Sequence, residues 1–152
     1  MDSQLGTFHW EATKNLGMDA MRDSCVLGFM NSMFALILVF VPERENFSEL
    51  YNKTCWVLDD LNKDSYLQWE LCLLKELGYA LDLTKCSGCG GKSNLSFLSP
   101  RTGRAVCCEC GEPYADRLYK LPVTLNTTLR FIEKICDIQD VKMPVFRLMI
   151  KS

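Results

Sequence analysis

Hydrophobic positions along the chain follow helical spacing at both ends and change period in the middle. From Cys25 to Val41 no residue is charged. This run predicts a helix over Asp19 to Val41, with Asp19 capping or beginning it and Asp23 near its start, where a negative charge is favoured. At about 1.5 Å per residue the run is marginal for a bilayer core, and Asn31 and Ser32 lie in its middle. Gly28 and Ser32, four apart, permit close packing, so the run reads as a buried core helix that Pro42 ends. A second helix is expected from Phe47 to Asn62, capped by Ser48, with Leu50, Tyr51, Thr54, Cys55, Leu58 and Leu61 on one stripe. A third starts at Asp64 or Ser65 and runs over Tyr66 to Leu77. It carries Leu67, Leu71, Leu74 and Leu77, with Trp69 and Leu73 beside them and Gly78 as its C-cap. Beyond the middle, Val123 to Cys136 sets Leu125, Leu129, Ile132 and Ile135 on one face and Arg130 and Lys134 on the other. Met143 to Lys151 begins a last helix. At the other end, Leu5 to Ala12 alternates partly and favours a strand with nothing nearby to pair with.

The middle obeys different rules. Cys86-Ser87-Gly88-Cys89 and Cys107-Cys108-Glu109-Cys110 are two C-x-x-C pairs separated by seventeen residues, Gly90 to Val106. Such paired spacing indicates a zinc site: each pair presents two sulfurs from one tight turn, and four thiolates suit a tetrahedral ion. Gly90 and Gly111 follow the pairs, where turns often demand positive φ. Leu95 to Leu98, then Ser99-Pro100-Arg101-Thr102-Gly103, then Ala105-Val106, reads as strand, turn and strand. The whole is a zinc ribbon. A thioredoxin-type pair would open a helix after a buried strand, and an iron–sulfur cluster fits the paired spacing less well. Cys108 is the spare fifth thiol. Cys25, Cys55, Cys72 and Cys136 lie in apolar helical contexts and are expected to pack as small hydrophobes.

Charge divides the chain. Met1 to Leu83 holds 6 Lys and Arg against 13 Asp and Glu, a net −7, whereas Thr84 to Ser152 holds 11 against 6, a net +5. Lys85, Lys92, Arg101, Arg104, Arg117 and Lys120 lie in or just after the ribbon and are expected to offer a phosphate-facing patch, with Arg101 and Arg104 flanking its turn. A groove between the acidic helices of the first half would suit a protein partner. The nine cysteines, with no secretory signal ahead of them, indicate a reducing cytoplasm. His9 is the sole histidine, and a lone histidine in a strand is more often an interface residue than a base. There is no P-loop, no G-x-S-x-G and no acid–base constellation, so the chain is not expected to be an enzyme.

Several runs together resemble one family. Trp69-Glu70-Leu71, Leu73-Leu74, Glu76-Leu77-Gly78-Tyr79, Leu81-Asp82-Leu83 and Cys86-x-x-Cys89 are similar to the bacterial recombination mediator RecO. Phe97, Ser99-Pro100, Gly103-Arg104-Ala105-Val106 and Pro113 to Leu118 resemble its alphaproteobacterial branch, and Leu5-Gly6-Thr7-Phe8 resembles the end of its N-terminal OB barrel. The resemblance implies a mainly α fold: a helical domain with an inserted four-cysteine zinc ribbon. The expected division is a remnant last barrel strand and linker at 1–15, helical domain at 16–83, ribbon at 84–112 and the rest of the helical domain, cut short, at 113–152. An OB barrel needs five strands, so most of one is absent from this chain. The resemblance further implies binding of single- and double-stranded DNA, strand annealing, and RecA loading with RecR and single-strand-binding protein. Carried over by motif, Cys86, Cys89, Cys107 and Cys110 hold one structural zinc. The DNA-binding candidates, by charge and position, are Lys92, Arg101, Arg104, Arg117 and Lys120. The alternative is a zinc-ribbon protein-interaction module that binds no DNA.

Overall fold

The structure, a computed structural model, describes residue 11 and residues 16–150. The expected N-terminal strand, and His9 with it, lies outside the described residues.

The uncharged run does not begin at Asp19. A short helix α1 (Leu16–Ala20) precedes it, and the long helix is α2 (Ser24–Phe40). Asp23 is its N-cap: one carboxylate oxygen accepts from the backbone N–H of Cys25 and Val26, satisfying donors that a helix start otherwise leaves orphaned. Helix α3 spans Ser48–Asp59 and α4 spans Lys63–Glu76. Ser48 does not cap α3; it is already helical, and its N–H is taken by the Asn46 side chain. Helix α4 begins earlier than expected because Asn62 and Ser65 form a reciprocal capping box. Gly78, at φ +86°, closes α4, with its N–H and that of Tyr79 returning to the carbonyls of Lys75 and Leu74.

Strands β1 (Leu95–Leu98) and β2 (Ala105–Cys107) form the ribbon hairpin. One helical turn, α5 (Cys108–Gly111), and a 3-10 helix (Glu112–Arg117) follow, then a two-residue strand β3 (Tyr119–Lys120). The sheet is antiparallel in the order β2-β1-β3. Helix α6 (Leu125–Gln139), capped by Thr124, and the single turn α7 (Val145–Leu148) complete the chain.

The main core gathers Met33, Leu36 and Phe40 of α2, Leu50 and Val57 of α3, Tyr66, Trp69, Leu73 and Leu74 of α4, and Phe131, Ile132 and Ile135 of α6. Leu98 of β1 belongs to it as well, which seats the ribbon on the helices. Tyr66, Trp69, Leu73 and Leu74 form the deepest face of α4, while Leu67 and Leu71 are half-buried. In α3, Tyr51 and Cys55 of the expected stripe are exposed, and Val57 is buried in their place. Helix α2 is not buried all round: Phe34, Leu38 and Val39 are exposed. Among the described residues no helix is long and apolar enough to cross a membrane. Of the four cysteines expected to pack as hydrophobes, Cys136 is buried and Cys72 half-buried, but Cys25 and Cys55 are exposed. Both sit on helix faces that no neighbouring element covers.

One polar cluster lies inside this core. Arg147 and Glu70 are both fully buried and form an ion pair through Arg147 Nε and Glu70 Oε1. Arg147 Nη2 also donates to Glu70 Oε2 at 3.1 Å and to the Leu125 carbonyl at 2.6 Å. Glu70 accepts further from Tyr66 at 2.8 Å and Thr128 at 2.5 Å, and Tyr66 shares a 2.7 Å hydrogen bond with Ser32. Helices α2, α4, α6 and α7 are thus tied by a network in which every buried side-chain polar atom has a partner.

Candidate metal centre

The two knuckles are built differently. The first is a tight turn: Gly90 N–H returns to the Cys86 carbonyl at 2.9 Å, and Cys86 N–H reaches the Gly91 carbonyl at 2.7 Å. Gly90 has φ +76°, a region L side chains avoid, as the spacing led us to expect. In the second, Cys107 ends β2 and caps α5, so Cys110 is presented one helical turn later. Gly111 is there for a different reason from the one expected. Its backbone is ordinary αR, at φ −93° and ψ −26°, but a Cβ would lie 2.4 Å from Phe97 Cδ2. The Phe97 ring occupies the space of the missing side chain. Gly88 faces Cys110 in the same way, with a virtual Cβ 3.1 Å from its sulfur.

These turns bring four sulfurs together. Those of Cys86, Cys89, Cys107 and Cys110 all lie within 4.8 Å of one another. Cys89 and Cys107 are 3.8 Å apart, far beyond a disulfide's ~2.05 Å. A tetrahedron of sulfurs each ~2.3 Å from a zinc ion has edges of about 3.8 Å, so both donor set and spacing fit that metal. The backbone N–H groups of Cys107, Cys89 and Gly88 turn toward the Cys86 sulfur and hold its thiol down to about 6. Cys110 is pushed up to about 12, chiefly by its hydrogen bond with Cys107 and then that with Cys89. A divalent ion bound by these sulfurs would displace their protons. Cys86 and Cys107 are buried, Cys110 is half-buried and Cys89 is exposed. Cys108 is exposed and is not among the four clustered sulfurs.

The basic candidates are all exposed but lie at different ends of the ribbon. Lys92 follows the first knuckle, and Arg117 ends the 3-10 helix. Arg101 and Arg104 lie in the β1–β2 connection, and Lys120 lies on β3, in register with Phe97. Among the described residues none of the five has an ion-pair partner. Two further cations join them from α6. Lys134 Nζ donates to the Pro100 carbonyl at 3.2 Å, and the Arg130 guanidinium lies 5.4 Å from the ring of Tyr119, the neighbour of Lys120. The sequence set both on the outer face of α6; what it did not disclose is that this face flanks the ribbon turn. Lys134 and Arg130 thus add positive charge beside the ribbon turn on the Tyr119 side of the sheet, whereas Lys120, in register with Phe97, extends from the opposite side.

Residues 21–150 match the family model described as "Recombination protein O C terminal". The chain belongs to the RecO family. Among its relatives, the DNA repair protein RecO of Jannaschia sp. (strain CCS1) is 36% identical over 139 residues, covering 89% of this chain and 57% of that protein. The RecO of Rhodospirillum centenum (strain ATCC 51521 / SW) is 38% identical over 125 residues, covering 78% and 50%. That of Ruegeria sp. (strain TM1040) is 35% identical over 131 residues, covering 83% and 54%. The chain therefore spans about half the length of the curated RecO relatives it matches. No solved structure gave a significant match.

Proposed function

We propose that this chain acts in DNA repair and homologous recombination as a non-enzymatic RecO-type accessory protein. It binds single- and double-stranded DNA, promotes annealing, and assists RecA loading together with RecR and single-strand-binding protein in the cytoplasm. The observation that carries the reading is the group of cations around the ribbon turn, Arg101, Arg104, Arg130 and Lys134, with Lys120 on the other side of the sheet, on a chain of this family. Exposed guanidinium and ammonium groups suit phosphate contacts, which give affinity without sequence preference. Arg117 and Lys92 extend the same charge toward the knuckles. Cys86, Cys89, Cys107 and Cys110 hold one zinc ion whose role is structural, since four sulfur ligands leave no open position for water.

The test is fluorescence anisotropy with a labelled single strand over a salt series. Each phosphate contact contributes about −0.7 to the slope of log K against log salt. Removing Arg101 and Arg104 together is expected to weaken binding and to reduce the slope by about 1.4. An unchanged affinity and slope would remove the assignment.

A further inference from the structure

The four clustered sulfurs are not held alike. Cys86 and Cys107 are buried in the small core with Phe97 and Val106. The first knuckle is fastened at its start: Ser87 N–H donates to the Ala105 carbonyl at 2.9 Å, and Gly88 N–H donates to the Cys86 sulfur at 3.3 Å. The second is fixed by the Phe97 ring against Gly111. Cys89 differs from the other three. It is exposed, and it stands between Gly88 and Gly90, so neither chain neighbour has a side chain to screen its sulfur. Across the gap, on the other knuckle, the Cys107 sulfur is 3.8 Å away. Closing that distance to a disulfide's ~2.05 Å asks for a shift of less than ~2 Å, which the glycine-flanked residue is the one free to make. Cys25, Cys55 and Cys108 are exposed too, but none belongs to the sulfur cluster.

Thiolates, not thiols, attack oxidants, and a bound cation keeps its sulfur ligands deprotonated. A metal-loaded ribbon therefore offers solvent one thiolate with a second directly behind it. We infer that, where these sulfurs hold zinc as proposed above, Cys89 and Cys107 form a peroxide-oxidisable pair that closes as a disulfide across the knuckles and releases the ion. The Cys89 thiolate attacks one oxygen of hydrogen peroxide: an S–O bond forms, the O–O bond breaks, hydroxide leaves, and the sulfur becomes a sulfenic acid. The Cys107 thiolate then attacks that sulfur; the S–S bond forms and the S–O bond breaks, expelling a second hydroxide. Two thiolates have lost two electrons, and one peroxide has gained them. With two of its four sulfur ligands spent the site no longer holds the ion, and Cys86 and Cys110 take up protons. A thiol reductant reverses the oxidation.

Trypsin separates the two knuckles for the test. Cleavage after Lys85, Lys92, Arg104 and Arg117 leaves Cys86 and Cys89 on peptide 86–92, and Cys107, Cys108 and Cys110 on peptide 105–117. The reduced full chain, its metal content measured first, is titrated with hydrogen peroxide while a zinc-binding dye reports release. It is then alkylated, digested and mapped by mass spectrometry. One zinc is expected to leave for each disulfide formed, with the two peptides joined through Cys89 and Cys107. Cys25 and Cys55 stay reduced at that dose, dithiothreitol with added zinc restores the starting state, and Cys108→Ser changes none of this. Zinc retained at doses that oxidise Cys25 or Cys55, a disulfide confined to either peptide, or a join through Cys108 overturns the inference. A reduced chain that carries no zinc removes the metal reading instead; the joined peptides are then still expected from sulfurs 3.8 Å apart, and their absence overturns the pair.

Discussion

Arg147 offers the sharpest perturbation of the fold. Exchange for Met keeps much of its stem but removes all five N–H donors. Glu70 stays fully buried with Tyr66 and Thr128 as its remaining donors, and the Leu125 carbonyl loses a 2.6 Å bond. Breaking a buried ion pair from one side costs roughly 3–5 kcal/mol, so Arg147→Met is expected to lose about that much in urea unfolding followed by far-UV circular dichroism. Removing both charges should cost less. With Glu70→Met added, Tyr66 keeps Ser32, and Thr128 keeps the Leu125 carbonyl at 3.1 Å. The double variant should recover ~1–4 kcal/mol over the single one. Burial pushes the Glu70 carboxyl above its ordinary 4.5, while Arg147 pulls it back. Taking Arg147 away raises it further, so folding of the variant takes up a proton between 4.5 and the raised value. This contribution is fully present below 4.5 and is lost as pH rises through the raised value, so the deficit against the parent narrows as pH falls toward 4.5. A single variant costing under ~1 kcal/mol, or a double variant no better than the single, would refute the claim that this network pins α7 to the core.

Gly111→Ala places a methyl group 2.4 Å from the Phe97 ring; a loss of about 1–3 kcal/mol is expected, partly restored by adding Phe97→Leu. Metal analysis of purified protein should give one zinc per chain. Cys89→Ser should reduce it and Cys108→Ser leave it unchanged, because Cys108 stands outside the cluster. Chelation should raise amide exchange at Phe97 and Val106, whose core includes Cys86 and Cys107, and leave Trp69 and Ile132 protected in the separate helical core.

How far the fold could be read in advance varied with the kind of signal. The paired knuckles, the hairpin between them and the spare Cys108 were legible because ligand spacing is a local constraint. Helix stripes were legible in period but not always in phase. Tyr51 and Cys55 continue the α3 stripe, yet they stay exposed in an open cleft that Phe34 and Ile37 of α2 also line, a tertiary arrangement that no local period encodes. The unbroken apolar run of α2 has no polar face to mark its outside, so Phe34 and Leu38 could not be told from Met33 and Leu36. Strand β3, two residues long, carries no period at all. The Glu70–Arg147 pair was invisible for another reason: each is an ordinary surface residue by type, and 77 positions separate them.

The linkage between the ribbon and the helices rests on alternation along a single strand. Phe97 and Leu98 are neighbours in β1 and face opposite sides of the sheet. Phe97 packs with Cys86, Val106 and Cys107 in the small core beside the metal site, whereas Leu98 packs in the helical core with Trp69 and Ile132. The segment entering the first knuckle adds a second tie. Asp82 N–H donates to the Gly103 carbonyl at 2.9 Å, and the Ala105 N–H returns to the Asp82 carbonyl at 2.8 Å. Lys134 reaching Pro100 from α6 adds a third. A hairpin held on both faces and along one edge cannot swing freely as a unit. Arg101 and Arg104, at its turn, are consequently mounted at a fixed place beside Arg130 and Lys134 rather than on a mobile arm. On the proposed reading, an ion bound by the four sulfurs would hold the far end of a hairpin whose near end already belongs to the helical core, and would so keep Arg101 and Arg104 in place.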